Sequence, residues 1–247
     1  MPPPFIDPHY NRFAEIPFQP QGALGKSPSQ WVADLNLQDV PDVAQLPQQP
    51  LDRAGVREIC RNPNKPVLFG YVCAMCWGWQ EKGPRGNQGV TDPWQEREKI
   101  ARHLETLRAG NLTRSEAYSL FRGEGKVSGL GPSYFTKLLF FFSPAEDFWI
   151  MDQWTGKSIN LLTGEIVVRF NGASPSDKNK GGNYQAYCEE VDALAGLLKV
   201  SGDEIEQRLM SKGKPNPWPW RMHILEHTDY NKARMTARYR HILDNEL

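Results

Sequence analysis

The sequence lacks any run of about 20 uninterrupted apolar residues, which a membrane-spanning helix requires. Its first residues, MPPPFIDPHYNRF, have neither the basic start nor the apolar core of a secretory signal, so we expect a cytoplasmic protein that binds no membrane. Four cysteines among 247 residues are too few for a disulfide framework. The 29 basic and 29 acidic residues balance, which argues against a general affinity for nucleic acid but hides local patches.

Recognisable metal-ligand patterns are also missing. Cys73 and Cys76 form one C-x-x-C pair without a second, and Cys60 and Cys188 lack zinc-finger or iron–sulfur spacing. The five histidines form no evident ligand cluster in the sequence. We therefore expect no metal and no cofactor, and we interpret the C-x-x-C pair as two half-buried thiols on a helix.

Strand-like segments and internal repeats are scarce as well, and this predicts a mainly α fold with little β structure. GEIVVRF is the one segment with strand character. Residues 1–50 are rich in proline and glutamine, which predicts an extended N-terminal arm anchored by Trp31 and Leu35. Residues 51–247 are predicted to form one helical domain with a helix–hairpin–helix at about 113–143 and a basic C-terminal segment.

Capping signals mark several of the predicted helices. TDPWQEREKIARHLETLRAG predicts one helix with Thr91 or Asp92 as N-cap and Pro93 at its first position, ending at Gly110. LTRSEAYSLFRGEG carries the spacing of a capping box at its start. Two further helices, NYQAYCEEVDALAGLLKV and SGDEIEQRLMSK, are predicted after the glycine-rich loop NGASPSDKNKGG.

A turn rich in glycine, GEGKVSGLGPSYF, separates two predicted helices, and Pro132 begins the second of them. We expect Gly129 and Gly131 to adopt positive φ and to bring backbone N–H groups close to an anion. The helix that follows adds the positive end of its dipole. The sequence thus indicates a small phosphate-binding site, although Gly-x-Gly alone is more often an ordinary turn.

A lysine and an aspartate lie within the most apolar part of the chain. Lys137 follows Ser133 by one helical turn and is surrounded by leucines and phenylalanines. Burial disfavours the charged form of a lysine, and a neutral amine is a nucleophile that can form a Schiff base. Asp152 follows in FWIMDQW, where a short return loop would bring it opposite the lysine. The residues alone leave open whether the two form a catalytic pair or a structural ion pair.

Aromatic residues beside a glycine-rich loop, in FGYVCAMCWGWQEKGPRGNQG, are candidates for a base-binding pocket. Aromatic faces stack on extruded bases, and polar groups read their edges. The candidates are Trp77 and Trp79 for stacking and Arg85 and Asn87 for polar contacts. Helical spacing leaves the alternative that the tryptophans belong to the core, which is the favoured interpretation for Tyr71.

Basic residues are concentrated near the C-terminus. Residues 212–240 contain seven lysines or arginines, Arg234 and Arg238 among them, against two acidic residues. This excess is typical both of a surface that contacts DNA phosphates and of a solvated helix face, and the sequence favours neither interpretation.

The segments GLGPSYFTKLLFF and FWIMDQW resemble the helix–hairpin–helix (HhH-GPD) superfamily of DNA glycosylases, and most closely a divergent bacterial 8-oxoguanine DNA glycosylase-like branch. The resemblance implies the glycosylase fold, a hairpin of Gly129, Leu130 and Gly131 that grips a DNA phosphate with Ser133, and a required aspartate at Asp152. In the better-known branch the nucleophilic lysine stands two residues after the second hairpin glycine, at Ser133 here. Lys137 lies one turn later on the same face.

The resemblance also implies a function. The expected partner is double-stranded DNA that contains a damaged or modified base. A monomeric, nucleoid-associated enzyme would flip this base out and excise it with Asp152 and Lys137. The resemblance implies AP-lyase activity in addition. We assign Gln153 to the base pocket. The excised base could be oxidised guanine or a bulky modified base such as those in phage DNA. The biological role could be DNA repair or phage defence. The alternative function is a helix–hairpin–helix DNA-binding module without catalysis.

Overall fold

The computed structural model describes residues 5–23, 25–78, 88–211 and 217–227. The fold is mainly helical, as predicted. The described helices are α1 (Asp7–Ala14), α2 (Pro28–Leu35), α3 (Arg53–Arg61), α4 (Val67–Gly78), α5 (Gln88–Gln95), α6 (Arg97–Ala109), α7 (Arg114–Ser119), α8 (Pro132–Phe142), α9 (Gln153–Thr163), α10 (Gly181–Leu198), α11 (Gly202–Met210) and α12 (Pro219–Glu226). Within the described residues, none of these helices combines the length and apolarity that crossing a membrane would require.

The chain divides into two compact units. The central unit comprises Gln21–Phe148, and the terminal unit comprises Met1–Pro20 together with Trp149–Leu247. Neither boundary coincides with the one predicted near residue 50. The hairpin and Lys137 belong to the central unit, whereas Asp152 belongs to the terminal unit.

The N-terminal segment is not the extended arm that its prolines predicted, because it contains α1 and α2. Each of these eight-residue helices has a proline in its first turn, where the missing N–H group costs nothing. Ser27 caps α2 by accepting a hydrogen bond from the N–H of Gln30 at 3.3 Å. Trp31 is buried, as expected of an anchor, and Leu35 is half-buried.

The central unit is built around α4. Its sequence, VLFGYVCAMCWG, has no charged residue on any face, and ten of its twelve residues are buried. It contacts α2, α3, α6 and α8. The apolar stretch of α8 packs beside it, with Phe141 at 5.1 Å edge-to-face from Trp77. The central unit therefore holds α8, and the lysine on it, against a fixed apolar core.

The single helix predicted after Thr91 is divided into α5 and α6. α5 begins at Gln88, so Pro93 lies inside it instead of at its first position. The two helices separate at Glu96, whose backbone leaves the helical region at φ −100° and ψ 26°. The predicted end of α6 is confirmed, because Gly110 follows it with a φ of +79°.

The terminal unit is arranged around α9, which contacts α1, α10, α11 and α12. α10 and α11 match the two helices predicted near the end of the chain. The predicted strand GEIVVRF is wrong except at its last residue. There β1 (Phe170–Asn171) pairs antiparallel with β2 (Ser174–Pro175). The Asn160 side chain takes the backbone groups that a strand would pair, since it accepts from the N–H groups of Val167 and Val168 and donates to the Val168 carbonyl.

Candidate functional site

A helix, a turn and a second helix stand where the sequence predicted them, as α7, the segment from Val127 to Gly131, and α8. The predicted capping box of α7 is confirmed, because the Thr113 hydroxyl and the Glu116 carboxylate exchange hydrogen bonds with each other's backbone N–H. Pro132 occupies the first turn of α8 as predicted. Short-range sequence signals therefore fix both helix starts on the two sides of the turn.

The two glycines of the turn have different roles. Gly129 has a φ of +76°, which favours glycine, and a Cβ there would lie 3.1 Å from Pro93. Gly131 has an ordinary φ of −79°, so the prediction of positive φ is wrong at this position. As the N-cap of α8 it adopts an extended backbone, and a Cβ there would meet none of the described residues within 4 Å. Gly131 is therefore a place where the backbone lies open to an approaching group.

Several backbone donors of this turn have no acceptor within the protein as described. Within the described part of the chain, the N–H groups of Gly129, Gly131 and Ser133 donate to no protein acceptor. No side chain caps α8. Unpaired N–H groups at a helix N-terminus carry a partial positive charge and bind anions. Leu130 is buried and anchors the turn in the central unit.

A carboxylate already holds one edge of the turn. Glu96 accepts a hydrogen bond from the N–H of Ser128 at 2.7 Å and from the Lys99 ammonium at 2.6 Å. The Lys99 hydrogen bond, followed by the Ser128 N–H, lowers the pKa of Glu96. Lys99 also donates to the Lys126 carbonyl at 3.1 Å, so the turn is tied to α6 on this side.

Lys137 is buried on α8, with 8% of the residue exposed. Its ammonium donates to the Ser133 carbonyl, one turn earlier, at 2.6 Å and lies 5.2 Å from the centre of the Tyr134 ring. The aliphatic stem covers Gly78, where an added Cβ would lie 2.6 Å from the lysine Cδ. Glycine at position 78 therefore provides the space for this side chain.

Asp152 is also buried, with 7% exposed, and it is the N-cap of α9. Its Oδ1 accepts hydrogen bonds from the N–H groups of Trp154 at 2.7 Å and Thr155 at 3.1 Å. The Thr155 hydroxyl lies 2.9 Å from the Asp152 N–H and completes a capping box. Oδ2 has no hydrogen-bond partner among the described residues. The helix thus fixes one oxygen of this carboxylate and leaves the other available.

Arg221 lies near the Asp152 carboxylate, although it was not among the predicted site residues. Arg221 of α12 is buried, stacks on Trp154 with Cζ 3.6 Å from the ring centre, and donates to the carbonyls of Met210 and Ser211. Burial lowers the pKa of Arg221 to about 10, and the negative charge of Asp152 partly opposes that shift. Arg221 is one of the seven basic residues in the segment 212–240, but its side chain is buried in the terminal unit instead of facing solvent.

The residues predicted to form the base pocket lie in different environments, and several lie outside the described residues. Trp77 is 5% exposed and lies in the core of the central unit, and Tyr71 is buried against Trp94. When the Gln153 amide is oriented to suit both of its neighbours, it donates to the Ala173 carbonyl at 3.1 Å and accepts from Trp154 Nε1 at 2.7 Å. Trp79, Arg85 and Asn87 lie outside the described residues, as do Arg234 and Arg238.

The cysteines are more deeply buried than the half-buried thiols predicted. All four are buried, and no two of them form a disulfide. Burial raises the pKa of Cys73 and of Cys76 to about 12 in each case, so neither is a ready thiolate at neutral pH. Cys76 Sγ donates to the Lys26 carbonyl at 3.2 Å.

The prediction of no histidine cluster is wrong. His9 of α1 lies against His223 of α12 and His227, which directly follows α12, and one ligand atom from each lies within 4.8 Å of the others. His9 and His223 are 214 residues apart, which is why spacing alone did not reveal the group. The one available signal was the four-residue interval between His223 and His227, which puts both on one helix face.

A comparison with protein-family models matches residues 19–210 to the family described as "Putative 8-oxoguanine DNA glycosylase OGG-like protein". No curated protein and no solved structure matches the chain. The matched range contains the turn, Lys137, Asp152 and Gln153, and it excludes all three clustered histidines.

Proposed function

The chain belongs to the OGG-like 8-oxoguanine DNA glycosylase family, and on this premise we propose that it is a DNA N-glycosylase that excises an altered base from duplex DNA. The observation that carries the proposal is the carboxylate of Asp152, which is buried, fixed through Oδ1 at the start of α9, and left with Oδ2 available.

Asp152 supplies the electrostatic part of the reaction. Breaking the bond between base and sugar builds positive charge on the sugar, and a carboxylate held near C1′ stabilises that charge. Because the N–H groups of Trp154 and Thr155 hold Oδ1, the carboxylate does not have to reorganise as the charge develops. The departing base takes the electron pair of the broken bond and a proton.

The turn before α8 supplies the grip on DNA. A phosphate oxygen accepts hydrogen bonds from the N–H groups of Gly129, Gly131 and Ser133, which have no acceptor in the described chain. The absence of a Cβ at Gly131 permits the close approach. These contacts position the duplex and read no base sequence.

Lys137 supplies the nucleophile for a lyase step. The neutral amine attacks C1′, the base leaves, and opening of the sugar ring gives an imine between Nζ and C1′. Loss of a C2′ proton then expels the 3′-phosphate by β-elimination. The Lys137 ammonium donates to the Ser133 carbonyl in the structure, so it must leave that carbonyl and give a proton to solvent before the amine can attack.

The altered base proposed first is oxidised guanine, which the family's description names. A bulky modified base of the kind found in phage DNA, which would give the protein a role in defence, enters as a second substrate class to be tested.

The test is base release under single-turnover conditions from three otherwise identical duplexes, containing 8-oxoguanine, a glycosylated pyrimidine, or no modification. Free base is identified by mass spectrometry, and abasic sites are scored by strand scission in alkali. We expect release from a modified duplex and none from the unmodified one. Tight binding without base release on any duplex would contradict the proposal and favour a non-catalytic DNA-binding module.

A further inference from the structure

Three histidines meet in the terminal unit, outside the residues matched by the glycosylase family. His9 comes from α1, His223 from α12, and His227 follows the last residue of α12. All three are half-buried. The function proposed above assigns no role to them, so their convergence requires a separate explanation.

The rings are oriented toward one another through specific atoms. Nδ1 of His9 lies 3.0 Å from Nε2 of His223, so one of these nitrogens donates a hydrogen bond to the other. The ring centres of His223 and His227 are 4.1 Å apart, and those of His9 and His227 are 4.9 Å apart. The interval of four residues places His223 and His227 one turn apart on the same face.

One histidine already has the hydrogen bond that metal-binding histidines make. Nδ1 of His227 lies 2.8 Å from the carbonyl of His223, to which it can only donate. That bond fixes the tautomer, so Nε2 carries the lone pair that a metal needs. The interaction orients the ring and increases its basicity as a ligand.

The cluster rests on fixed apolar side chains. Trp220 stacks on His223 with ring centres 5.1 Å apart, and it packs edge-to-face on the buried Phe13 of α1 at 4.9 Å. Its indole N–H donates to the Ser158 hydroxyl at 3.0 Å. Because Trp220 of α12 packs on Phe13 of α1, the two helices are held together and the three imidazoles lie close to one another before any ligand binds.

We propose that His9, His223 and His227 bind one divalent transition-metal ion of the zinc class, which ties α1 to α12. Three neutral imidazole nitrogens and a water complete the tetrahedral coordination that Zn²⁺ prefers, with Zn–N distances of about 2.0–2.1 Å. Binding replaces the hydrogen bond between His9 and His223, and the shared proton moves to the outer nitrogen of the same ring. No net proton is released when the three rings start neutral.

One nearby charge opposes the ion. Arg12, one turn after His9, acts electrostatically on His223 and is paired with Glu15 at 3.8 Å on the surface. Its positive charge lowers the affinity of the site for a cation. Replacing Arg12 by glutamine should therefore raise the affinity for zinc, an effect that a site elsewhere in the chain would not show.

The test uses the full chain without a histidine tag, stripped with a chelator and titrated with Zn²⁺ against a chromogenic zinc indicator. We expect one zinc per chain. His9→Gln and His223→Gln should each lower the affinity at least ~100-fold, because losing a ligand costs no less than losing its supporting hydrogen bond. His103→Gln is the matched control, since this half-buried histidine of the central unit bonds the Gly125 carbonyl and should leave zinc binding unchanged.

Two further measurements use only the wild-type chain and so do not depend on whether a variant folds. Co²⁺ added to the wild-type chain should give the visible absorption of a tetrahedral, nitrogen-ligated ion, and saturating Zn²⁺ should raise the melting temperature. Zinc stoichiometry and affinity unchanged in both His9→Gln and His223→Gln would overturn the proposal. So would a wild-type chain that retains no zinc at micromolar concentration and gives only the spectrum of hydrated Co²⁺.

Discussion

Asp152 and Lys137 are held in place by different kinds of interaction. Backbone N–H groups at the start of α9 hold the aspartate, and asparagine can accept the same hydrogen bonds. The lysine is held by its own helix through the Ser133 carbonyl and by packing of its stem on Gly78. A conservative replacement can therefore remove the charge of either residue while keeping most of its structural role.

Lys137→Gln should stay folded and lose covalent chemistry. Borohydride added during the reaction reduces an imine, so the wild-type protein should be trapped on modified DNA, whereas Lys137→Gln should not. Lys137→Met, which keeps an unbranched stem over Gly78, serves as the packing control and should also fail to be trapped. A variant without the amine that excises at the wild-type rate, together with a wild type that is never trapped, would show that water is the nucleophile.

At the scale of secondary-structure elements, the turn between α7 and α8 combines one glycine with a positive φ and one with an ordinary φ. Gly129 needs its positive φ, whereas Gly131 has an ordinary backbone and open space around it. Changes at Gly131 therefore report on what approaches the turn from outside, and changes at Gly129 report on folding as well.

Gly131→Asp should weaken binding to duplex DNA strongly and leave the melting temperature close to wild type. The new carboxylate stands where a phosphate is expected, and the open space accommodates its Cβ. Gly131→Ala is the matched control, because it adds the Cβ without the charge and should bind far better than the aspartate variant. Fluorescence anisotropy with labelled duplex measures both. Equal affinities for Gly131→Asp and wild type would exclude the turn as the phosphate site.

Elements whose signals are local could be predicted from the sequence, and elements set by tertiary interactions could not. The capping box at Thr113 and the proline start of α8 are local, and both are confirmed. GEIVVRF has β propensity, but the Asn160 side chain binds its backbone from a neighbouring helix. The histidine cluster joins residues from the two ends of the chain, so the interval between His223 and His227 was a local signal but the contribution of His9 was not.

At the scale of the whole molecule, the family match spans parts of both compact units. Residues 19–210 include the whole central unit and α9, α10 and α11 of the terminal unit. The predicted nucleophile and the predicted aspartate thus belong to different units. The additions beyond the matched range are α1 and α12 with their histidines, and the basic residues that follow α12.

Neutralising Arg234, Arg238 and Arg240 to glutamine together should weaken binding to all duplexes about equally. If each arginine neutralises a phosphate, the slope of log K against log salt should become shallower by about one for every arginine replaced. The control replaces Arg102, Lys178 and Lys199, three exposed or half-buried basic residues elsewhere, with the same change in net charge. A salt slope identical in wild type and the arginine variant would assign the segment to a solvated surface.

The most direct test of the account is the rate of base release by Asp152→Asn under single-turnover conditions. Asparagine keeps the cap of α9 and removes the negative charge, so we predict a folded protein that binds DNA with nearly wild-type affinity and releases base at least ~100-fold more slowly. Asp52→Asn is the matched control, because Asp52 likewise caps a helix, α3, by accepting from the Gly55 N–H at 2.8 Å. This variant should release base at the wild-type rate. Base release by Asp152→Asn at the wild-type rate would contradict the assignment of Asp152 as the catalytic carboxylate.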